Sequence, residues 1–149
     1  MGWWSTAVLG GDEPLDWMAG FEDELGVAEL YPVEHLADDV VSKLRAALVD
    51  ATDRFVATAG ELEPVQGQVL AVLFLASGAP LPGLLADALV DCARNDIEDW
   101  GDNPERALEM QRLITAVQTY DGTPTVWSHP GLFEVICASS QPPAEGPFD

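Results

Sequence analysis

The sequence predicts a mainly α-helical fold, a compact bundle of about five helices with a small C-terminal β-hairpin. Apolar residues recur at helical spacing over most of the chain, and 48% of the 149 residues are hydrophobic, enough for one core. Only the C-terminal part contains short runs of strand-favouring residues. We therefore expect a single domain over residues 1–138. The proline-rich residues 139–149 are expected to form a mobile tail.

The first helix is predicted over Glu13–Leu25. Asp12 is the expected N-cap, and Pro14 suits the first helical turn. Gly26 follows the last apolar position and offers a C-terminal stop, since glycine adopts the left-handed conformation that ends many helices.

The second helix follows Pro32 and continues to Gly60, and it shows the strongest helical pattern of the chain. Its apolar stripe comprises Leu36, Val40, Leu44, Ala47, Leu48, Ala51 and Phe55. We expect helix over at least Val33–Thr58. A third helix begins near Pro64 and covers Val65–Ala76, which is apolar on nearly every side, as a central helix would be. The residues expected to be buried together are Leu44, Leu48, Leu70, Leu73 and Phe74.

Two further helices and a strand pair complete the expected fold. The fourth apolar stripe comprises Leu84, Leu85, Ala88, Leu89, Cys92 and Ala93. The fifth helix should begin at Asp102 or Asn103, with Pro104 at its first position, and run to about Thr119. The predicted hairpin strands are residues 125–127 and 132–138.

The charge balance excludes several classes of partner. Against 26 Asp and Glu stand 6 Lys and Arg, a formal net charge of −20. Such a charge repels phosphate backbones and anionic lipid headgroups, so direct binding to nucleic acid or to a membrane surface is not expected. The two cysteines, Cys92 and Cys137, lie far apart, and no cleavable leader is evident. A reducing cytoplasm is therefore the expected compartment.

No cofactor, metal site or catalytic residue is predicted. The cluster Glu34, His35, Asp38 and Asp39 has chelating spacing, but a solvated helix face explains it better. The acidic segment 96–107 fails as a calcium loop, because Trp100 and Ala107 occupy ligand positions. It is interpreted as an interhelical loop with an N-cap. Phosphate-binding and dinucleotide motifs do not occur in the sequence.

The few basic residues have acids nearby at helical spacing. The predicted pairs are Lys43 with Asp39, Arg54 with Asp50, Arg106 with Asp102, Arg94 with Asp91, and Arg112 with Glu109. Most of the acids are left over, and we expect them to give the surface a nearly continuous negative potential.

The N-terminal residues Met1-Gly2, Trp4-Ser5, Asp12 and Asp16-Trp17 carry a family resemblance. Their pattern resembles the opening of a family of small uncharacterised bacterial proteins that start Met-Gly-x-Trp-Gly and soon reach Asp-x-x-x-Asp with an aromatic residue. This family is a domain of unknown function, so the resemblance implies no activity.

Aromatic and acidic residues near the N-terminus form a candidate partner-binding patch. The predicted patch comprises Trp3, Trp4, Asp12, Asp16 and Trp17. Tryptophan is favoured at binding hot spots, and carboxylates steer encounter with a basic partner. The alternative is that these tryptophans pack the N-terminus onto the core.

Three functional hypotheses follow. The first is a non-enzymatic acidic binding or inhibitor protein that occupies a basic surface of a partner protein, as immunity proteins and DNA mimics do. The second is a salt-adapted acidic domain with no charge-based partner. The third is a metal-dependent enzyme whose carboxylate site the sequence does not locate. We adopt the first, because it uses the charge directly; the oligomeric state is left open.

Overall fold

A computed structural model describes Val8, Leu9 and residues 11–31 and 33–125. These residues form a mainly helical fold, as the sequence predicts, and no strand occurs among them. The five α-helices are α1 (Asp12–Leu25), α2 (Asp38–Ala57), α3 (Pro64–Ser77), α4 (Gly83–Asp99) and α5 (Pro104–Gln118). Two short 3-10 turns, Val33–His35 and Ala59–Glu61, precede α2 and α3. Most of the predicted C-terminal hairpin and the whole predicted tail lie outside the described residues.

Helix α3 is the centre of the bundle. It contacts α1, α2, α4 and α5, which explains why its sequence is apolar on nearly every side. A capping box fixes its start: the Glu63 side chain accepts from the backbone of Gln66, and the Gln66 Oε1 accepts from the Glu63 N–H at 3.0 Å. The predicted core group is confirmed, since Leu44, Leu48, Leu70, Leu73 and Phe74 are all fully buried.

The ends of α1 and α2 differ in part from the predictions. Gly11, in extended conformation, is the N-cap of α1, so the prediction of Asp12 as N-cap was wrong. Asp12 lies instead in the first turn, where a carboxylate interacts favourably with the helix dipole. Gly26 ends α1 in the left-handed conformation, with φ 69°, as predicted. Helix α2 begins only at Asp38, because the preceding Ala37 is extended.

The fourth and fifth helices follow their predicted patterns with one exception. Leu84 is 72% exposed, although it was predicted to belong to the buried stripe of α4. It adjoins Leu85, and one residue along a helix turns about 100° away from the stripe that buries Leu85 and Leu89. Asn103 is the N-cap of α5, as predicted, and its Oδ1 accepts from the Arg106 N–H at 3.0 Å.

None of the helices in the described ranges has the length and apolar character that crossing a membrane requires.

Candidate functional site

The acidic side chains lie almost entirely on the surface. Among the Asp and Glu residues whose side chains the structure describes, only Asp96 and Glu109 are buried and only Glu22 is half-buried; the others are exposed. Arg106, one of the six basic residues, is fully buried beside Asp96, so its positive charge is removed from the surface. The exposed surface of the described part therefore carries a large excess of negative charge.

Three of the predicted ion pairs are present. Lys43 lies 4.0 Å from Asp39 and Arg94 lies 3.8 Å from Asp91, and all four side chains are well exposed. The Arg112 Nη1 donates to the Glu109 Oε1 at 2.7 Å. The two exposed pairs, Lys43–Asp39 and Arg94–Asp91, contribute little to stability, because water and salt screen them.

Two predicted ion pairs are wrong. Arg54 pairs with Glu24 of α1 at 2.9 Å rather than with Asp50, because α1 and α2 are in contact. The Glu24 carboxylate accepts hydrogen bonds from both the Nε and the Nη2 of Arg54. Arg106 pairs with Asp96 rather than with Asp102. Asp102 precedes the N-cap of α5, so the spacing of four residues does not place it on the same helix face.

One side of α1 presents a row of unpaired carboxylates. Asp12, Asp16 and Asp23 are exposed, and spacings of four and eleven residues place them on one helix face. We call these three residues the α1 acidic face. None of them forms an ion pair with another described residue. Gly20, beside this row, has no heavy atom of a described neighbour within 4 Å of the position of an added Cβ, so the helix surface at Gly20 is open.

Trp17 borders the α1 acidic face and belongs partly to the core. Its side chain is half-buried against the hydrophobic core, and its Nε1 lies 3.4 Å from the Glu13 Oε2 as a weak hydrogen-bond donor. The structure therefore brings Asp12, Asp16 and Trp17 of the predicted patch together on one helix. Trp3 and Trp4 lie outside the described residues, so their part in the patch stays a prediction.

The chain that leads into α1 is held against α5. The Val8 N–H donates to the Glu109 Oε2 at 3.1 Å, and Val8 and Leu9 are buried. The same Glu109 carboxylate accepts from Arg112. A carboxylate that receives charge-assisted hydrogen bonds in a buried place is a strong anchor. The start of α1, where the α1 acidic face begins, is therefore anchored to α5.

A buried polar network surrounds Arg106 and was not predicted from the sequence. The Arg106 Nε and Nη2 donate to the two Asp96 oxygens at 2.6 and 3.0 Å, and Nη2 also donates to the Gln68 Oε1 at 2.9 Å. The guanidinium lies 4.6 Å from the centroid of the Trp100 ring. This network joins α3, α4 and α5, and the side chains of Arg106 and Asp96 are at most 2% exposed. Their burial indicates a structural role.

A signal for this network is present in the sequence. Asp96 continues the buried stripe of Leu89, Cys92 and Ala93 at helical spacing, and Gln68 is a polar residue inside the otherwise apolar Val65–Ala76. Polar residues at core positions require buried partners. The same contact explains the failed calcium loop, since the Asp96 carboxylate is occupied by Arg106.

The cysteine of α4 is a core residue, as expected. Cys92 is 5% exposed. Burial, followed by the negative charge of Asp91, raises the pKa of the Cys92 thiol from 9.0 to about 11, while a backbone hydrogen bond with Gly67 acts in the opposite direction. A thiol with such a pKa is a poor nucleophile at neutral pH.

The described part of the chain contains no group of three or more His, Cys, Asp or Glu residues that could hold a metal ion. His35 and Asp38 of the predicted polar cluster are exposed, which agrees with a solvated face.

Comparison with known proteins found no matching family model, no matching curated protein and no matching solved structure. The resemblance of the N-terminal residues to a family of unknown function therefore stays a prediction.

Proposed function

We propose that this protein is a non-enzymatic binding protein whose acidic surface occupies a basic surface of a partner protein, as immunity proteins and DNA-mimicking inhibitors do. One observation carries the proposal: the α1 acidic face is an exposed row of carboxylates to which no other described residue supplies a cation. Carboxylates in this state are available to the Lys and Arg side chains of a partner.

The distribution of charge supports a role in steering. Five basic residues of the described part are already paired with acids, and one of these pairs is buried. The remaining negative potential accelerates encounter with a positively charged surface and disfavours contact with anionic ones. Because Trp17 lies half-buried beside Asp16, it offers an apolar edge next to the charges. An aromatic group in that position favours slow dissociation once the charges have met.

The proposal is tested by capture from a host lysate on the immobilised full chain. We expect a basic protein to be retained at low salt and released at high salt, since screening weakens contacts between exposed charges. The variant Asp12→Asn/Asp16→Asn/Asp23→Asn should retain less of it than the wild type.

A matched control separates the α1 acidic face from the net charge. The variant Asp50→Asn/Asp53→Asn/Asp87→Asn removes the same number of charges from exposed positions on α2 and α4. It should retain the partner nearly as well as the wild type. Retention of no basic protein at low salt would contradict the proposal and favour the hypothesis of a salt-adapted domain.

A further inference from the structure

The outer face of α5 lacks the acids that cover the other outer helices. Helices α1, α2 and α4 each carry four or more exposed Asp or Glu residues, whereas α5 carries one, Glu105 in its first turn. From Arg106 to Tyr120 the sequence contains a single acid, Glu109, which is 4% exposed and accepts a hydrogen bond from Arg112. In a chain with a net charge of −20, this stretch therefore forms a nearly uncharged strip of surface.

An apolar side chain projects from this strip. Leu108, in the second turn of α5, is 66% exposed. An open groove of about 490 Å³ runs along the same side of the helix, and most of its lining surface is apolar. The residues that line it, which we call the α5 outer face, are Leu108, Gln111, Arg112, Thr115 and Ala116. An exposed apolar patch of this kind is typical of a contact surface.

The α5 outer face is complementary to itself under a two-fold rotation. Leu108 and Thr115 are seven residues apart, so they lie about two turns, or about 10 Å, apart on one side of the helix. Leu108 protrudes, whereas the neighbouring Thr115 and Ala116 have small side chains that leave room in the groove. A two-fold axis midway between Leu108 and Thr115 therefore places the Leu108 of each copy on the small residues of the other.

Charge favours a second copy of this chain as the occupant. Two molecules that each carry a net charge of −20 repel one another wherever exposed carboxylates meet, so they approach closely only through a face without them. A basic partner gains little from this face, because the carboxylates that attract it lie on other helices. The one cation of the α5 outer face, Arg112, lies 2.7 Å from Glu109, so its charge is compensated within each copy.

We infer that this protein forms a two-fold homodimer in which the α5 outer faces of two copies pack antiparallel. The Leu108 side chain of each copy enters the groove of the other beside Thr115. One helix face is small compared with the about 800 Å² per partner of a standard interface, so we expect the dimer to be weak. The inference does not rest on the proposed binding of a basic partner, because it uses none of the exposed acids.

Sedimentation equilibrium of the full-length protein, at concentrations from about 10 μM to about 1 mM, tests the inference. We expect a monomer–dimer equilibrium. Its dissociation constant should fall several-fold as NaCl rises from about 0.01 M to about 0.15 M, since salt screens the repulsion between the remaining carboxylates. Binding of a basic partner has the opposite salt dependence, so the failure of one proposal is distinguishable from the failure of the other.

Two leucine variants provide a matched comparison. Leu108→Glu places a carboxylate inside the paired face and should raise the dissociation constant of the dimer by about tenfold or more. The control Leu84→Glu adds the same charge at a leucine of α4 that is 72% exposed, and it should change the dissociation constant much less. Both leucines are exposed, so both variants should fold, which circular dichroism checks. A protein that stays monomeric up to about 1 mM in about 0.15 M NaCl, or equal weakening by the two variants, would overturn the inference.

Thr115→Gln tests the antiparallel arrangement without a change of charge. The longer side chain occupies the space that Leu108 of the other copy enters, so the dissociation constant should rise by about tenfold. A dimer as tight as that of the wild type would contradict this arrangement of the two helices.

Discussion

The buried side chain of Arg106 shows how a single charged residue is accommodated in this core. Removing a guanidinium from water costs several kcal/mol, and the cost is offset only when counter-charge and hydrogen bonds are well placed. Asp96 supplies both carboxylate oxygens, Gln68 supplies an amide oxygen, and Trp100 supplies an aromatic face. The position of Arg106 thereby fixes three helices relative to one another.

Removing this arginine should be costly. Arg106→Leu leaves the Asp96 carboxylate buried without its counter-charge, and we expect a loss of about 3–5 kcal/mol in the free energy of unfolding. Urea denaturation followed by circular dichroism measures it. The control Arg94→Gln removes an exposed pair, with 3.8 Å between charges, and should cost less than about 1 kcal/mol. Similar small losses in both variants would show that the buried network does not stabilise the fold.

The Cys92 thiol predicts a pH dependence of stability. Its pKa in the folded protein, about 11, lies above the ordinary value of 9.0. As the pH rises through this range the unfolded thiol loses its proton first, so the native state binds more protons and the stability falls. The difference in unfolding free energy between the wild type and Cys92→Ala should therefore shrink from pH 9 to pH 11. A difference that stays constant over this range would contradict the assignment.

At the scale of elements, the packing of α3 against α4 depends on a glycine. An added Cβ at Gly67 would clash with the Cys92 Sγ and would lie 2.7 Å from the Cys92 Cβ, so α4 must move to admit it. Overpacking of this kind costs about 1–3 kcal/mol. Glycine at this position thus permits the close approach of the two helices.

Two glycine-to-alanine variants test this packing. Gly67→Ala should lower the melting temperature and the free energy of unfolding. Gly20→Ala, at an open position of α1, should raise the free energy of unfolding by about 0.5–1 kcal/mol, since alanine favours the helix and meets no neighbour among the described residues. Equal effects of the two substitutions would contradict the close contact between α3 and α4.

Helical periodicity predicted the elements well because it reports directly which face is buried. It located all five helices and identified α3 as the central one. The partners of Arg54 and Arg106 were missed because Glu24 and Asp96 are distant along the chain and become neighbours only when the helices pack.

At the scale of the whole molecule, the net charge of −20 on a chain of 149 residues predicts a salt-dependent stability. Between ionic strengths of about 0.01 M and 0.15 M the screening length falls from about 30 Å to about 8 Å, which relieves repulsion between exposed carboxylates. The melting temperature should therefore rise with NaCl over this range. The variant Asp12→Asn/Asp16→Asn/Asp50→Asn/Asp53→Asn should show a shallower rise. A flat or falling curve for the wild type would show that the charges do not destabilise the fold.

The rate of association with a basic protein captured from the lysate, measured against ionic strength, tests the proposed function most directly. The wild-type rate constant should fall steeply as salt is added, because steering by exposed charges is screened. Asp12→Asn/Asp16→Asn should slow association at low salt, whereas the matched variant Asp50→Asn/Asp53→Asn should change it much less. A rate constant that is independent of salt and unchanged by both variants would contradict binding through the acidic surface.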